Sequence, residues 1–230
     1  IMNLQLDQRE KTPLVRAKDG SELKENPFRD IRVRRAIDHA IDRETMVEIV
    51  LEGLGRPANQ MMPPGFFGSS EKIPMPEYNP SKAKALLAEA GYKDGFEVDL
   101  YCTSDRLPGD GAICQGLGQM FTQVGIKTNV NAISKTVYFP AYSRQEYSMF
   151  MNGWGTLTGE ASYTLGGLAH SNNPEIKLGA YNRLEYKNDK VDQLLQTGAK
   201  MMDENKRRAT YEEAMELSLI HISEPTRRKH

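Results

Sequence analysis

The chain has 230 residues, of which 39% are hydrophobic. This is enough for one large domain or two small ones with a hydrophobic core, and it excludes a disordered chain. The 30 basic residues nearly balance the 31 acidic ones, so the overall charge does not favour a nucleic-acid partner. No apolar run approaches the roughly 20 residues that cross a bilayer. We therefore expect no membrane insertion in this segment.

The first part of the chain is expected to contain one strand, two helices and a long loop. Residues 1–6 read like the middle of a strand and lack the layout of a secretion signal, so we expect the true N-terminus to lie upstream. The polar residues 9–26 predict an exposed connection. Apolar residues at helical spacing predict either two consecutive helices, which start at Asp30 and at Asp42, or one bent helix. Residues 56–79, rich in proline and glycine, predict a long ordered loop of the kind that is often functional.

Strands and helices then alternate. Asn79 is placed to cap a helix, and the apolar Phe96 and Leu100 alternate with polar residues as in a half-buried strand. Further elements are predicted as a helix at 112–124, a strand at 128–133, a helix at 138–144 and a strand at 148–152. Because helices of this length between strands imply βαβ crossovers, we predict the α/β class, with a mostly parallel sheet flanked by helices.

The last part of the chain is predicted to be helical. Residues 190–202 and 206–217 carry apolar side chains at core spacing. Residues 218–230 resemble a translated sequencing-library adapter more than a protein segment. We interpret them as a non-native tail and exclude them from the fold prediction.

Neither the cysteines nor the histidines form a recognisable catalytic or metal-binding motif. The two cysteines, Cys102 and Cys114, form either one disulfide or two buried thiols. Neither alternative identifies the redox compartment of the protein. His39 and His170 have no partner at metal-ligand spacing, and the usual zinc and hydrolase motifs are absent from the sequence. We therefore predict no metal, no cofactor and no enzymatic activity.

A glycine-rich run at residues 153–160 follows a predicted apolar strand and precedes a predicted helix, which is where α/β sheets bind ligands. It lacks the features of a phosphate-binding loop. Trp154 would supply a flat apolar wall and Glu160 a carboxylate for a positively charged group. The alternative is that Trp154 belongs to the core and that Glu160 merely sits favourably in the first turn of the helix.

Arg106 lies in a loop with proline and glycine at the carboxyl end of a predicted strand. The planar guanidinium binds carboxylates through two hydrogen bonds. Arg106 is therefore a candidate for the acidic end of a zwitterion whose ammonium is held by Glu160. The alternative is an ordinary solvated surface charge.

Several segments resemble one protein family. Residues 26–43, Asn-Pro-Phe-Arg-Asp-Ile-Arg-Val-Arg-Arg-Ala-Ile-Asp-His-Ala-Ile-Asp-Arg, are similar to a long signature of the family 5 bacterial solute-binding proteins, the dipeptide, oligopeptide and nickel type. Residues 78–96 resemble the helix and strand entry that come next in that family. Residues 153–162 and 181–192 resemble later landmarks in the same order. The resemblance covers nearly all of the chain up to about residue 217.

The resemblance implies a periplasmic-binding-protein-like fold, in which two α/β lobes close on a ligand, and this chain resembles the second lobe. Residues 1–25 would be the strand entering from the hinge and its linker, residues 26–217 the lobe, and residues 218–230 the tail. The first lobe and the C-terminal return are not in this sequence, and neither is a signal sequence.

The function implied by the resemblance is that of the substrate-binding component of an ABC importer. Such a protein captures peptides or peptide-like solutes outside the cytoplasmic membrane, in the periplasm or from a lipid anchor, and delivers them to the permease. Two alternatives stay open. One is a hydrolase or transferase with a dispersed active site, which turnover of a bound peptide would favour. The other is a chemoreceptor-type peptide binder, which a partner other than a permease would favour.

The resemblance also implies the ligand contacts. Dipeptide binders of the family hold the peptide carboxylate with an arginine in the loop that matches Arg106, and the amino group with an aspartate after the Gly-Trp strand. This sequence has Gly-Glu-Ala-Ser at 159–162 where the family has a Gly-Asp-Pro-Asp run, which leaves the dipeptide assignment open. The candidate ligand-binding residues are Arg106, Trp154, Gly155, Thr156, Glu160, Ser162, Tyr163 and Arg183.

Overall fold

The computed structural model describes residues 1–220. The first three residues of the segment interpreted as a tail, 218–220, continue the last helix, and residues 221–230 lie outside the described residues. In chain order the elements are β1 (Met2–Leu6), β2 (Val15–Arg16), a 3-10 turn (Pro27–Arg29), α1 (Ile31–Ala40), α2 (Arg43–Thr45), a π-helical turn (Met46–Val50), α3 (Pro80–Glu89), β3 (Phe96–Thr103), α4 (Asp110–Val124), β4 (Ile126–Ile133), α5 (Lys135–Ser143), β5 (Met149–Gly153), α6 (Ala161–Leu168), α7 (Asp189–Gly198) and α8 (Glu204–Ile220).

The chain divides into two compact units. Residues 2–58 and 77–154 form the first, which we call the sheet unit because it contains all the strands named above. Residues 59–76 and 155–220 form the second, which we call the helical unit. The division of the sequence at residues 25 and 217 stays a prediction. Within residues 1–220, no helix combines the length and the apolar character that a membrane span requires.

The α/β class is confirmed, but the sheet is mixed and not mostly parallel. Strand β3 pairs in parallel with β4 and with β5, whereas β1 pairs with β5 and β2 with β3 in antiparallel fashion. The parallel strands are the ones joined by the crossover helices α4 and α5. Strands β1 and β2 precede the first crossover. Because Val15 is buried and lies opposite Val98, residues 9–26 are not merely the exposed connection that their polarity predicts.

The predicted alternation along β3 sets the core of the sheet unit. Phe96 and Leu100 are fully buried on the face that packs with helices α1, α3 and α4, and the Phe96 ring meets Phe28 edge-on at 6.0 Å. On the same face, Cys102 of β3 and Cys114 of α4 form a disulfide with their Cα atoms 6.5 Å apart. The structure therefore decides between the two alternatives for the cysteines in favour of the bond.

Polar side chains near the start of residues 26–43, the segment that resembles the family signature, donate hydrogen bonds to backbone carbonyls. The amide of Asn26 donates to the carbonyls of Asp7 and Arg9 at 2.9 and 2.8 Å. The guanidinium of Arg34, which is 8% exposed, donates to the carbonyl of Phe28 at 2.6 Å. A buried carbonyl that loses its donor costs about 1–3 kcal/mol. These polar side chains are therefore needed for the fold as much as the apolar ones are.

On the opposite face of the sheet, polar side chains near the starts of β3 and β4 surround Glu97. Lys127 and Asn129 each donate to its carboxylate at 2.8 Å. The hydrogen bond from Lys127, followed by that from Asn129, lowers the pKa of Glu97 from 4.5 to about 2. A carboxylate whose folded pKa is lowered stabilises the fold above its unfolded pKa, and this stability is lost as the pH falls toward the folded value.

We therefore expect the melting temperature to fall between pH 4.5 and about 2, and to fall less steeply in Glu97→Gln. A partly exposed ion pair contributes about 1 kcal/mol, which corresponds to about 2–4 °C in a domain of this size. Thermal denaturation followed by circular dichroism across this pH range measures the difference, with Glu71→Gln at an exposed site as the control. Equal slopes in the native protein and in Glu97→Gln would contradict this assignment.

The helical unit has its own core, formed by helices α6, α7 and α8 together with the loop at residues 59–76. The side chain of Gln60 exchanges two hydrogen bonds of 2.9 Å with the backbone of Ser70, which closes the loop on itself. Met62 is 1% exposed and belongs to this core. At Gly68, a φ of +82° and the close approach of Ala161 leave no room for a side chain. The predicted long loop is thus ordered by its own packing.

Candidate functional site

The carboxyl ends of the parallel strands β3 and β5 meet at one edge of the sheet unit. Helix α4 covers one face of the sheet, where Cys114 joins Cys102. Helix α5 covers the other face, where Tyr138 meets Phe150 edge-on at 6.5 Å. In open α/β sheets, ligands bind where the connections of adjacent strands leave toward opposite faces. This edge is therefore the candidate site of the sheet unit.

The loop that follows β3 is organised by one buried carboxylate, Asp110, which is 2% exposed. It accepts hydrogen bonds from the Thr103 hydroxyl at 2.7 Å, from the backbone N–H groups of Arg106 and Leu107 at 3.1 Å each, and from that of Gly111 at 2.8 Å. Burial raises the pKa of Asp110, but these four hydrogen bonds outweigh burial and the pKa is lowered. The ionised side chain fixes the backbone that carries Arg106.

The guanidinium of Arg106 is held against the end of β5. Its Nη1 donates to Oδ1 of Asn152 at 2.8 Å, and its central carbon lies 5.1 Å from the centre of the Phe139 ring. A side chain at position 153 would collide with Leu107, so Gly153 permits the loop to lie over the strand. Arg106 is exposed, whereas Asn152 is 7% exposed. Arg106 is thus an oriented cation that solvent can reach.

Trp154 follows β5 at this same edge and is partly buried. The other predicted contacts belong to the helical unit. Gly155 is exposed, and a side chain there would meet no atom within 4 Å. The hydroxyl of Thr156 lies 2.7 Å from that of Thr164 on α6, which ties the glycine-rich run to the helix.

Glu160 is fixed by contacts on both sides of its backbone. The N–H of Phe67 donates to the carbonyl of Gly159 at 3.3 Å, and the N–H of Ala161 donates to the carbonyl of Phe67 at 2.9 Å. Its carboxylate, 24% exposed, lies 3.8 Å from Nε of Arg207 on α8. Glu160 therefore forms an ion pair with Arg207, a partner that neither interpretation of the sequence includes.

Three more predicted contacts are partly buried in the helical unit. Ser162 is hydrogen-bonded to the phenol of Tyr211, whose pKa is raised by burial. Tyr163 and Arg183 are likewise partly buried. The structure thus places Arg106 and Trp154 in the sheet unit and the remaining predicted residues in the helical unit.

Sequence reasoning missed four residues of these sites. Asp110 and Asn152 each carried a signal, the first as an acidic residue at a helix start and the second as a polar residue in a buried strand. No sequence signal marked Phe139 or Arg207, because their contacts depend on which elements pack together.

No cluster of three or more potential metal ligands occurs in the described part of the chain. The ring of His170 is buried, with Nδ1 2.6 Å from the carbonyl of Ser171 and Nε2 3.0 Å from the amide of Gln196. His39 has its Nδ1 2.7 Å from the carbonyl of Glu77. Both histidines therefore have partners in the fold, and the absence of a metal stays a prediction.

The family model and the similar proteins agree on one family. Residues 3–175 match the model of the bacterial extracellular solute-binding proteins, family 5. The glutathione-binding protein GsiB of Salmonella typhimurium is 31% identical over 199 residues, which are 84% of this chain and 38% of that protein. GsiB of Escherichia coli K12 is 31% identical over 198 residues, with the same coverage.

Solved structures show the same fold. The periplasmic binding protein DppA from Helicobacter pylori, in complex with the peptide STSA, matches with a TM-score of 0.76 and 25% identity over 96% of this chain and 41% of that chain. A dipeptide binding protein from Pseudoalteromonas sp. SM9913, in complex with Met-Leu, matches with a TM-score of 0.76 and 22% identity over 96% of this chain and 42% of that chain. The chain thus spans less than half the length of the proteins it matches.

Proposed function

Because the chain belongs to the bacterial extracellular solute-binding proteins of family 5, we propose that the protein captures a peptide or peptide-like solute and delivers it to the permease of an ABC importer. Capture would take place outside the cytoplasmic membrane, in the periplasm or from a lipid anchor. The relatives from Salmonella typhimurium and Escherichia coli are glutathione-binding proteins, which supports capture without chemistry. The relatives described above include a glutathione-binding protein and two proteins in complex with peptides.

The observation that carries this proposal is the oriented, exposed guanidinium of Arg106 at the carboxyl edge of the sheet. One of the five N–H donors of Arg106 is used in the hydrogen bond to Asn152, at 2.8 Å. The loop beneath it is fixed by Asp110, so little rotational freedom would be lost when a ligand binds. A planar cation held in this way suits a carboxylate. We accordingly propose that Arg106 donates hydrogen bonds to the carboxylate of the ligand.

The remaining contacts complete the proposal. In the sheet unit Trp154 would supply an apolar wall, and in the helical unit Glu160 would accept hydrogen bonds from an ammonium group. Gly155 would allow the backbone to approach the ligand closely. The other proposed ligand contacts are Thr156, Ser162, Tyr163 and Arg183.

The proposal predicts a strong preference for a free carboxylate. The dipeptide Met-Leu should bind roughly a hundredfold more tightly than Met-Leu amide, because the loss of one partner of a hydrogen-bonded charge pair costs about 2–5 kcal/mol. Isothermal titration calorimetry with the protein that contains this chain measures both affinities, with glutathione as a third ligand. Absence of binding for all three, or hydrolysis of any of them, would overturn the proposal.

A further inference from the structure

Strand β4 forms a free edge of the sheet in the sheet unit. It pairs with β3 along its whole length of 8 residues, and with no other strand of residues 1–220. The N–H of Ser104, which follows β3, donates to the carbonyl of Ile133 at 2.9 Å, so the odd-numbered residues of β4 point their backbone groups toward β3. The N–H and carbonyl groups of Thr128, Val130 and Ala132 therefore point outward.

Little protects this edge against pairing with another strand. Natural edge strands are often blunted by proline, by lysine or by a bulge. Strand β4 contains no proline, and the ammonium of its one lysine, Lys127, is held by Glu97 at 2.8 Å. The Thr122 hydroxyl accepts a long hydrogen bond of 3.4 Å from the N–H of Thr128, but no side chain of the described residues bonds to the outward groups of Val130. The second half of the edge is therefore open to a partner strand.

The helix beside this edge, α4, exposes no charged side chain. Its one charged residue, Asp110, is 2% exposed. Its exposed residues are all uncharged, namely Ala112, Gln115, Gln119, Thr122 and Gln123. The exposed residues of α3, in contrast, include Lys82, Lys84 and Glu89. Because charged residues are depleted in the centres of protein interfaces, an uncharged helix face beside an open sheet edge has the composition of an interface.

A groove of about 490 Å³ joins the helix face to the strand edge. Gly118 permits α4 to lie directly on Val130, because a side chain at position 118 would stand 2.4 Å from a methyl group of the valine. Next to this contact, the partly exposed Thr128 and Val130 line the groove from the strand. The helix lines it with glutamines spaced four residues apart, Gln115, Gln119 and Gln123. The groove thus offers uncharged hydrogen-bonding groups beside the open backbone.

This surface is complementary to itself. An amide both donates and accepts hydrogen bonds, so a row of glutamines can pair with an identical row, whereas a row of one charge would repel its copy. Two antiparallel β4 strands related by a two-fold axis at Val130 place Asn129 opposite Asn131. In this register Lys127 lies opposite Ile133, so no two like charges face each other across the strands.

We propose that the outer edge of β4 and the glutamine-bearing face of α4 bind a second copy of the protein, so that the two sheets join through antiparallel β4 strands. The strands would exchange main-chain hydrogen bonds at Val130, and the glutamines of each α4 would contact the groove of the other copy. The same patch is used by both copies, as a two-fold axis requires. This interface involves neither Arg106 nor Glu160 and does not depend on the proposed function.

Charge changes near the two-fold axis test the proposal. Gln119 adjoins Gly118, which lies on Val130, and is therefore close to the axis. Sedimentation velocity of the protein that contains this chain, from about 1 μM to about 1 mM, should show a monomer–dimer equilibrium. Gln119→Glu and Gln119→Lys should each weaken the dimer about tenfold or more, because like charges then meet. An equimolar mixture of the two variants should restore association, because opposite charges meet in the mixed dimer.

Ala85→Glu, at an exposed position of α3, is the matched control and should leave the dimer unchanged. A monomer at every concentration, or a dimer that neither Gln119 variant weakens, would overturn the inference. Weakening that the mixture fails to restore would overturn it as well. If a monomeric protein bound a peptide with the sequence of residues 126–133, the edge would accept a strand from a different partner, and the proposed second copy would be wrong.

Discussion

Replacement of Arg106 with alanine is expected to abolish the preference for a free carboxylate, by weakening binding of Met-Leu roughly a hundredfold. The reason is that the guanidinium is the exposed cation which Asn152 and the loop fixed by Asp110 hold at the carboxyl edge of the sheet. Affinity for Met-Leu amide should change little, because that ligand presents no carboxylate to Arg106. Calorimetry of both ligands with both proteins measures this selective loss.

The matched control is Arg144→Ala. Arg144 is an exposed arginine of the same sheet unit that directly follows α5, and its guanidinium donates to Glu146. We expect this variant to bind Met-Leu with native affinity. If Arg106→Ala weakened binding of Met-Leu and of Met-Leu amide equally, the arginine would support the fold and would not contact the carboxylate. If it weakened neither, Arg106 would be a solvated surface charge.

Removal of the disulfide should lower the free energy of unfolding by about 3 kcal/mol, the value expected for a short closed loop. Cys102 and Cys114 are 12 residues apart, and the bond joins β3 to α4 across the base of the loop that carries Arg106. Denaturation in urea should therefore show a lower midpoint when a reductant is added. A lower affinity for Met-Leu should accompany it, because the ends of the ligand loop are less constrained.

The double variant Cys102→Ala with Cys114→Ala provides the control, since its midpoint should equal that of the reduced protein and should not respond to the reductant. An oxidising compartment is where such a bond persists, which agrees with the proposed extracytoplasmic location. Identical midpoints for the native protein with and without reductant would show that the bond contributes no stability.

Local chemistry made much of the fold predictable from the sequence. The side chains of Asp30, Asp42 and Asn79 accept backbone hydrogen bonds at the starts of their helices, as their cap positions predict. The apolar alternation from Phe96 to Leu100 is the buried face of β3. These features depend on residues close together in the chain, where spacing and residue type decide the structure.

Pairing between distant segments was not predictable in the same way. The antiparallel direction of β1 depends on its register with β5, in which Met2 lies opposite Gly153. Periodicity within a strand carries no information about the direction of its neighbour. The disulfide likewise depended on the packing of α4 over β3, because the spacing of Cys102 and Cys114 fits both a bond and two thiols.

The candidate site likewise combines features that are visible in the sequence with contacts that form only in the folded chain. The position of Arg106 in a loop at the carboxyl end of a strand was predictable, and its role in ligand binding stays a prediction. Its partner Asn152 lies 46 residues away and becomes visible only in the folded chain. Glu160 was singled out from the glycine-rich run, but its ion pair with Arg207, 47 residues further along the chain, depends on how α8 packs.

Native mass spectrometry of the protein that contains this chain, purified from its own cell envelope, tests solute capture most directly. We predict a co-purified small molecule with a free carboxylate, bound to native protein and absent from Arg106→Ala. Protein that carries no small molecule in either form, and that also fails to bind peptides added afterwards, would contradict the account.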